Sequence, residues 1–218
     1  VTGKALFQGG STTGLLTDGV LSVTGNESFE VGPAGAADAF APSTNHRTEL
    51  AGQNTVTFAP GFDPTSHFHH LAVGSGEGGL VTLGSAASAT GRTSIDYYAE
   101  MGGGSGSRFT ALDTVQFSNG STLNPAVLEL RSGVTTSGPE SAFDLSPADT
   151  LILRGTDGIP DIVSAGSGMW TIPNFVVAGT DSVIDAGGTI FTGSVFVRSG
   201  ILAMGIGGSG ATITDSLV

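Results

Sequence analysis

Four short segments in the second half of the chain share one pattern, and that repeat restricts the fold more than any other feature of the sequence. Leu128-Glu129-Leu130-Arg131-Ser132, Leu151-Ile152-Leu153-Arg154-Gly155, Phe175-Val176-Val177-Ala178-Gly179 and Val195-Phe196-Val197-Arg198-Ser199 each read apolar, any, apolar, Arg or Ala, then Gly or Ser. Their starts lie 23, 24 and 20 residues apart (151 − 128, 175 − 151, 195 − 175). Two of them continue alike, Gly155-Thr156-Asp157-Gly158-Ile159-Pro160-Asp161 matching Gly179-Thr180-Asp181-Ser182-Val183-Ile184-Asp185 with a shift of 24. One turn of a parallel β-helix needs a period of about 20–25 residues, a few short strands joined by turns of Gly, Asn, Asp and Ser. Stacked turns place Leu128, Leu151, Phe175 and Val195 in one interior ladder, so each turn buries its apolar face against its neighbours. A β-sandwich with evenly spaced strands is the alternative.

The rest of the chain also reads as all-β. Glycine occurs 36 times in 218 residues, and interior glycine costs a helix about 1 kcal/mol per residue. The few windows with helical spacing, 35–40 and 84–91, therefore predict no stable helix. Short β-branched or aromatic runs recur instead, among them Val20-Leu21-Ser22-Val23, Thr55-Val56-Thr57-Phe58, Leu80-Val81-Thr82-Leu83 and Val115-Gln116-Phe117. The 39% apolar share supplies enough surface to offset the entropy of ordering the chain. Residues 1–125 lack the period of the second half and contain the polar stretch 41–47 and the Gly-Ser loop 102–107. The sequence thus predicts two domains: an irregular short-strand β domain over 1–125, sandwich or jelly-roll-like and the more natural docking surface, and a β-solenoid-like repeat domain over 126–218 with turns of about 20–24 residues.

Charge and cysteine content exclude several functions. Seven basic against 19 acidic residues give a net charge of −12, which repels nucleic acid and anionic membrane surfaces, and no basic run overcomes it. The longest apolar stretches, such as Phe175-Val176-Val177-Ala178, fall far short of the roughly 20 residues a bilayer span requires. No nucleic-acid or membrane partner is expected. With no cysteine, disulfides, thiol catalysis and cysteine metal sites are absent.

Candidate chemistry is sparse. GxGxxG occurs at 74–79 and 205–210, but neither match opens a helix that could hold a pyrophosphate. On a solenoid, Asp157 with Asp181 and Asp161 with Asp185 would stack on adjacent turns about 4.8 Å apart, a spacing suited to paired carboxylates acting on a polysaccharide. The plainer reading makes them turn formers after Gly-Thr. Three of the four histidines fall in Ser66-His67-Phe68-His69-His70, with His46 about twenty residues earlier. On a strand, His67 and His69 share a face and offer two imidazoles to a metal. Two ligands are too few in one chain, but three copies around a threefold axis supply six nitrogens. An ordinary exposed polar strand accounts for the same residues.

His67-Phe68-His69 resembles the axial iron-binding HxH motif of trimeric phage tail fibres and membrane-piercing spikes. That resemblance implies a transition metal held on an oligomer axis by His67 and His69. More broadly, a Gly/Ser/Thr-rich, nearly lysine-free, cysteine-free all-β chain with segments such as Val195-Phe196-Val197-Arg198-Ser199-Gly200 is similar in style to virion accessory proteins, a style shared by S-layer proteins and bacterial adhesins. The resemblance implies a non-enzymatic structural protein of an extracellular particle, a phage capsid-decoration or fibre-type subunit, located on a virion or extracellular surface. Its expected partners are copies of itself, a trimer first, and a major capsid or other virion protein. Two alternatives stand beside it: an S-layer or adhesin component, and a polysaccharide-degrading β-helix enzyme using Asp157, Asp161, Asp181 and Asp185.

Overall fold

The computed structural model describes residues 2–74, 78–136, 149–155, 161–163, 170–180, 182–185, 189–203, 212–213 and 216–217, and every element among them is a β-strand. Strand β1 (Ala5–Phe7) lies on β2 (Val20–Val31), and β2 on β3 (Arg47–Phe58). The chain then divides each turn into shorter strands. These are β4 (His70–Val73), β5 (Gly79–Leu83) and β6 (Ala86–Ala89); β7 (Thr93–Ile95), β8 (Ala99–Gly102) and β9 (Arg108–Ala111); and β10 (Val115–Phe117), β11 (Thr122–Asn124) and β12 (Val127–Leu130). There follow β13 (Val134–Thr136) and β14 (Thr150–Leu153); β15 (Asp161–Val163), β16 (Trp170–Ile172) and β17 (Asn174–Val177); β18 (Ser182–Asp185), β19 (Thr189–Phe191) and β20 (Ser194–Val197); and β21 (Ile201–Ala203), β22 (Thr212–Ile213) and β23 (Ser216–Leu217).

Every strand pairs in parallel with the strand one turn away, which makes the molecule a three-faced β-solenoid. The first face runs β4-β7-β10-β13, the second β5-β8-β11, and the third is a 7-stranded sheet from β6 to β23. In the last turns β15-β18-β21 and β16-β19-β22 take up the first two faces. Strand β3 spans two faces by itself: Arg47–Leu50 pairs with β4, and Gly52–Val56 with β5. Its bend falls on a glycine ladder, Gly25, Gly52 and Gly79 in register. Gly52 sits at φ +90°, and a Cβ there would lie 2.6 Å from the Gly25 carbonyl oxygen, so only glycine fits the corner.

The ladder expected from the repeat is present. Leu128, Leu151, Phe175 and Val195 are successive partners and fully buried. The glycine that closes the repeat has a packing reason as well, because a Cβ on Gly179 would stand 2.3 Å from the Gly155 carbonyl oxygen one turn below. The ladder also extends backward past residue 125 through Phe109 to Ala87. The sandwich or jelly roll expected over 1–125 is therefore replaced by turns of the same solenoid, and β9 and β12 pair across the expected boundary near Asn124-Pro125. The first half conceals its period because β2 and β3 each fuse two faces into 12 residues. Its early turns also bury rings rather than the Leu-x-Leu pattern: Phe7, Phe29, Phe40, Phe58 and Phe68 pack with ring centroids 4.5–6.2 Å apart.

Interior stacking and glycine corners are thus the two supports of the fold. Phe109→Ala is expected to cost about 3–5 kcal/mol and Gly52→Ala about 2 kcal/mol or more. Leu80→Ala, at a side chain 40% exposed, should stay within about 0.5 kcal/mol. Urea unfolding midpoints of the three variants check the ranking.

Candidate functional site

Strand alternation decides which side chains leave the solenoid. On the first face, Leu50, Val73, Ile95 and Phe117 occupy matching inward positions and are buried. Arg47 and His70 are direct partners facing outward, and Arg92 follows on the next turn, just before Thr93, which pairs with Leu71. These three side chains form a rail with about 4.8 Å between turns. Ser94 and Gln116, also direct partners, lie further along the outward side, and Asp96 and Ser118 follow the inward Ile95 and Phe117. With Asn45 and Asp113 they line an open groove of about 590 Å³.

The polar groups of the groove are positioned by the backbone. His70 Nδ1 accepts a hydrogen bond from the Arg92 backbone N–H at 3.1 Å, which leaves Nε2–H as the ring's donor. Arg47 is shared with Glu49 at 3.3 Å, whereas exposed Arg92 pairs with no carboxylate among the described residues. The Asp96 N–H donates to the Val73 carbonyl at 2.8 Å, and its own carbonyl accepts from the Ala99 N–H at 2.9 Å. Burial pushes the Asp96 carboxyl above the ordinary aspartate range, Arg47 works against the rise and Glu49 adds to it. Tyr97 and Tyr98 form the turn directly after Asp96, with rings 4.2 Å apart and edge to face. They are 46% and 59% exposed; Tyr98 packs against Gly120, where a Cβ would stand 2.5 Å from its ring, and lines a separate depression with Gly52, Leu80 and Glu100.

The histidines converge on an adjacent corner, where the third face passes into the first. The segment His67-Phe68-His69 is a corner with one bridge, Phe68 to Ala89, rather than the strand expected for the motif. His67 Nδ1 lies 3.2 and 3.1 Å from the carbonyls of Pro64 and Thr65, two acceptors that assign it the proton and leave Nε2 with a free lone pair. His69 is engaged within its own chain: Nδ1 meets Thr90 Oγ1 at 3.0 Å, the ring also hydrogen-bonds the Thr44 backbone, and it packs 4.3 Å from the His70 ring. Burial lowers the pKa of His46 and of His69, and the neighbouring imidazoles lower both further. Among the described residues no group of three or more His, Asp or Glu side chains is arranged to hold a metal within one chain.

The acids proposed from the repeat do not pair as expected. Asp157 and Asp181 lie outside the described residues. Asp161 faces Val183, and Asp185 faces Val163, because the register between these strands is 22 residues (183 − 161) rather than the 24 of the sequence repeat. One acid the sequence did not single out is the most buried among the described residues: Glu129, 2% exposed, hydrogen-bonded by Arg108 and by Arg131 at 2.9 Å and ion-paired with Arg154 at 3.4 Å. Burial alone would raise its pKa, yet the three guanidiniums outweigh burial and hold it below the usual range, so it acts as a fixed anion. The arginine of the repeat is explained by this role at positions 131 and 154.

No protein-family model, curated protein or solved structure matches the chain. The groove therefore rests on its own geometry. Its sequence signal was the spacing of Arg47-Thr48-Glu49-Leu50, His70-Leu71-Ala72-Val73 and Arg92-Thr93-Ser94-Ile95, which begin 23 and 22 residues apart (70 − 47, 92 − 70).

The buried imidazoles make stability depend on pH. Unfolded histidine titrates near pH 6.5, and His46 and His69 titrate lower when folded, so below that pH the unfolded chain binds more protons. Their contribution is complete above about pH 6.5 and lost as the pH falls. The melting temperature is expected to drop between pH 7.5 and 5.5, and to drop less in His46→Gln; calorimetry at both pH values checks this.

Proposed function

We propose that the chain is a non-enzymatic structural subunit of an extracellular particle, a stiff solenoid carried as a capsid-decoration or fibre-type component and assembled as a symmetric oligomer. The observation that carries this reading is the unbroken third face, 7 parallel strands with a ladder of buried Ala, Phe, Leu and Val beneath it. Such a stack transmits load along its axis, because each turn is held by hydrogen bonds to the next over its full width. The acidic, lysine-poor surface suits broad polar packing between subunits and solubility at high local concentration.

A shared metal belongs to this proposal in a specific form. His67 has the arrangement typical of a metal-binding imidazole, Nδ1–H directed to a backbone carbonyl and Nε2 open. His69 would have to release Thr90 to join it. A second reading, an adhesin or S-layer component, draws on the first-face groove as an attachment site, and calcium-dependent lattice formation separates it from the first.

The native mass by light scattering, with and without a strong chelator, tests the assembly. The expected result is a discrete oligomer near three times 21.6 kDa that loosens on chelation and on His67→Ala. A monomer indifferent to both, or steady release of reducing sugar from polysaccharides by the purified chain, overturns the proposal.

A further inference from the structure

Beyond assembly, and whether or not the chain assembles, the first-face groove has the makings of a ligand site. Its volume of about 590 Å³ falls in the range of small-molecule sites, about 300–1,000 Å³. It crosses four turns, from Arg47 on β3 to Gln116 on β10, which at about 4.8 Å per turn makes it long and shallow. Donors and acceptors face each other across it: Arg92 and the His70 ring on one side, Asp96 on the other, and Ser94 and Gln116 between them. Two features point to an occupant. Arg92 is exposed and lacks an ionic partner among the described residues, and Tyr97, which directly follows Asp96, is 46% exposed.

We propose that this groove binds an uncharged oligosaccharide lying along the solenoid axis. Vicinal hydroxyls both donate and accept, so they can bridge a guanidinium and a carboxylate in one groove, whereas an apolar peptide side chain would find no anchor among these residues. The opposed Asp96 and Asp113 carboxylates and the net charge of −12 disfavour a polyanion despite the two arginines. Tyr97, next after Asp96 in the chain and 46% exposed, offers apolar surface on which a sugar ring leaving the groove can stack, whereas Tyr98 lines a separate depression with Gly52, Leu80 and Glu100.

A glycan array of neutral gluco-, manno- and galacto-oligosaccharides, with polygalacturonate and heparin fragments as anionic probes, tests the site on the full chain, followed by titration calorimetry with the best neutral binder. At least one neutral series is expected to bind. Arg92→Ala and Tyr97→Ala should each weaken it about tenfold or more, near 1.4 kcal/mol, while Leu15→Ala, at a side chain 74% exposed and outside the groove, leaves it unchanged. Both test residues are exposed, and an unaltered melting temperature shows that the variants fold. Binding to no neutral series, binding to the anionic probes alone, or binding indifferent to both substitutions overturns the proposal. The native mass is read on the same samples, so failure here is distinct from failure of the assembly.

Discussion

The in-register parallel pairing of one turn on the next is the constraint from which everything else in the molecule follows. A turn of about 22 residues is too thin to enclose its own apolar side chains, so each inward residue must meet its counterpart above and below. That demand is visible as uninterrupted columns: Ala87, Phe109, Leu128, Leu151, Phe175 and Val195 on the third face, and Leu50, Val73, Ile95 and Phe117 on the first. Where rings enter, a small residue sits beside them, Phe68 over Ala89 and Phe109 beside Ala87, which keeps the interior filled without forcing the turns apart. Corners obey the same rule. Where two backbones approach too closely for a Cβ, glycine stacks on glycine, as at Gly25, Gly52 and Gly79 and again at Gly155 and Gly179.

The same register creates the surface chemistry. Outward residues are brought to a common spacing whatever their separation in sequence, so one cation or imidazole per turn becomes the rail Arg47, His70 and Arg92. On the third face, arginines from three turns converge on Glu129 and hold its buried carboxylate ionised. At the intervening corner the four histidines crowd together, and burial keeps His46 and His69 from charging readily. A solenoid thus converts a weak sequence period into a dense strip of polar side chains, as in the groove of the first face.

How much of this was readable in the sequence depends on how each half encodes its period. In the second half the inward pair and the corner are spelled by the same residue types on every turn, so Leu128, Leu151, Phe175 and Val195 stand out as a column from their spacing alone. In the first half the inward positions are filled by a mixture of Phe, Ala, Val, Leu, Ile, Met and Thr, and β2 and β3 run through a corner without a break. The solenoid there was masked by side-chain variety rather than by a different architecture. Periodicity also misled once: Asp161 and Asp185 share a 24-residue repeat, yet the strands that carry them pair two residues out of that shift. For the histidines, the HxH spacing marks where the imidazoles crowd together, while the intrachain partners of the rings, Thr44, Pro64, Thr65 and Thr90, belong to no motif.

The central claim is that one solenoid runs through residue 125, and the absence of native cysteine allows a direct chemical test. Arg108 and Val127 are partners on adjacent turns, on either side of that position, and parallel neighbours about 4.8 Å apart fall within the Cα separation of about 4.4–6.8 Å that a disulfide accepts. In the double variant Arg108→Cys/Val127→Cys, mild oxidation is expected to close an intrachain disulfide in nearly every molecule while the β-sheet circular dichroism is retained. Folded protein whose two thiols remain free under the same oxidation would contradict the continuous solenoid.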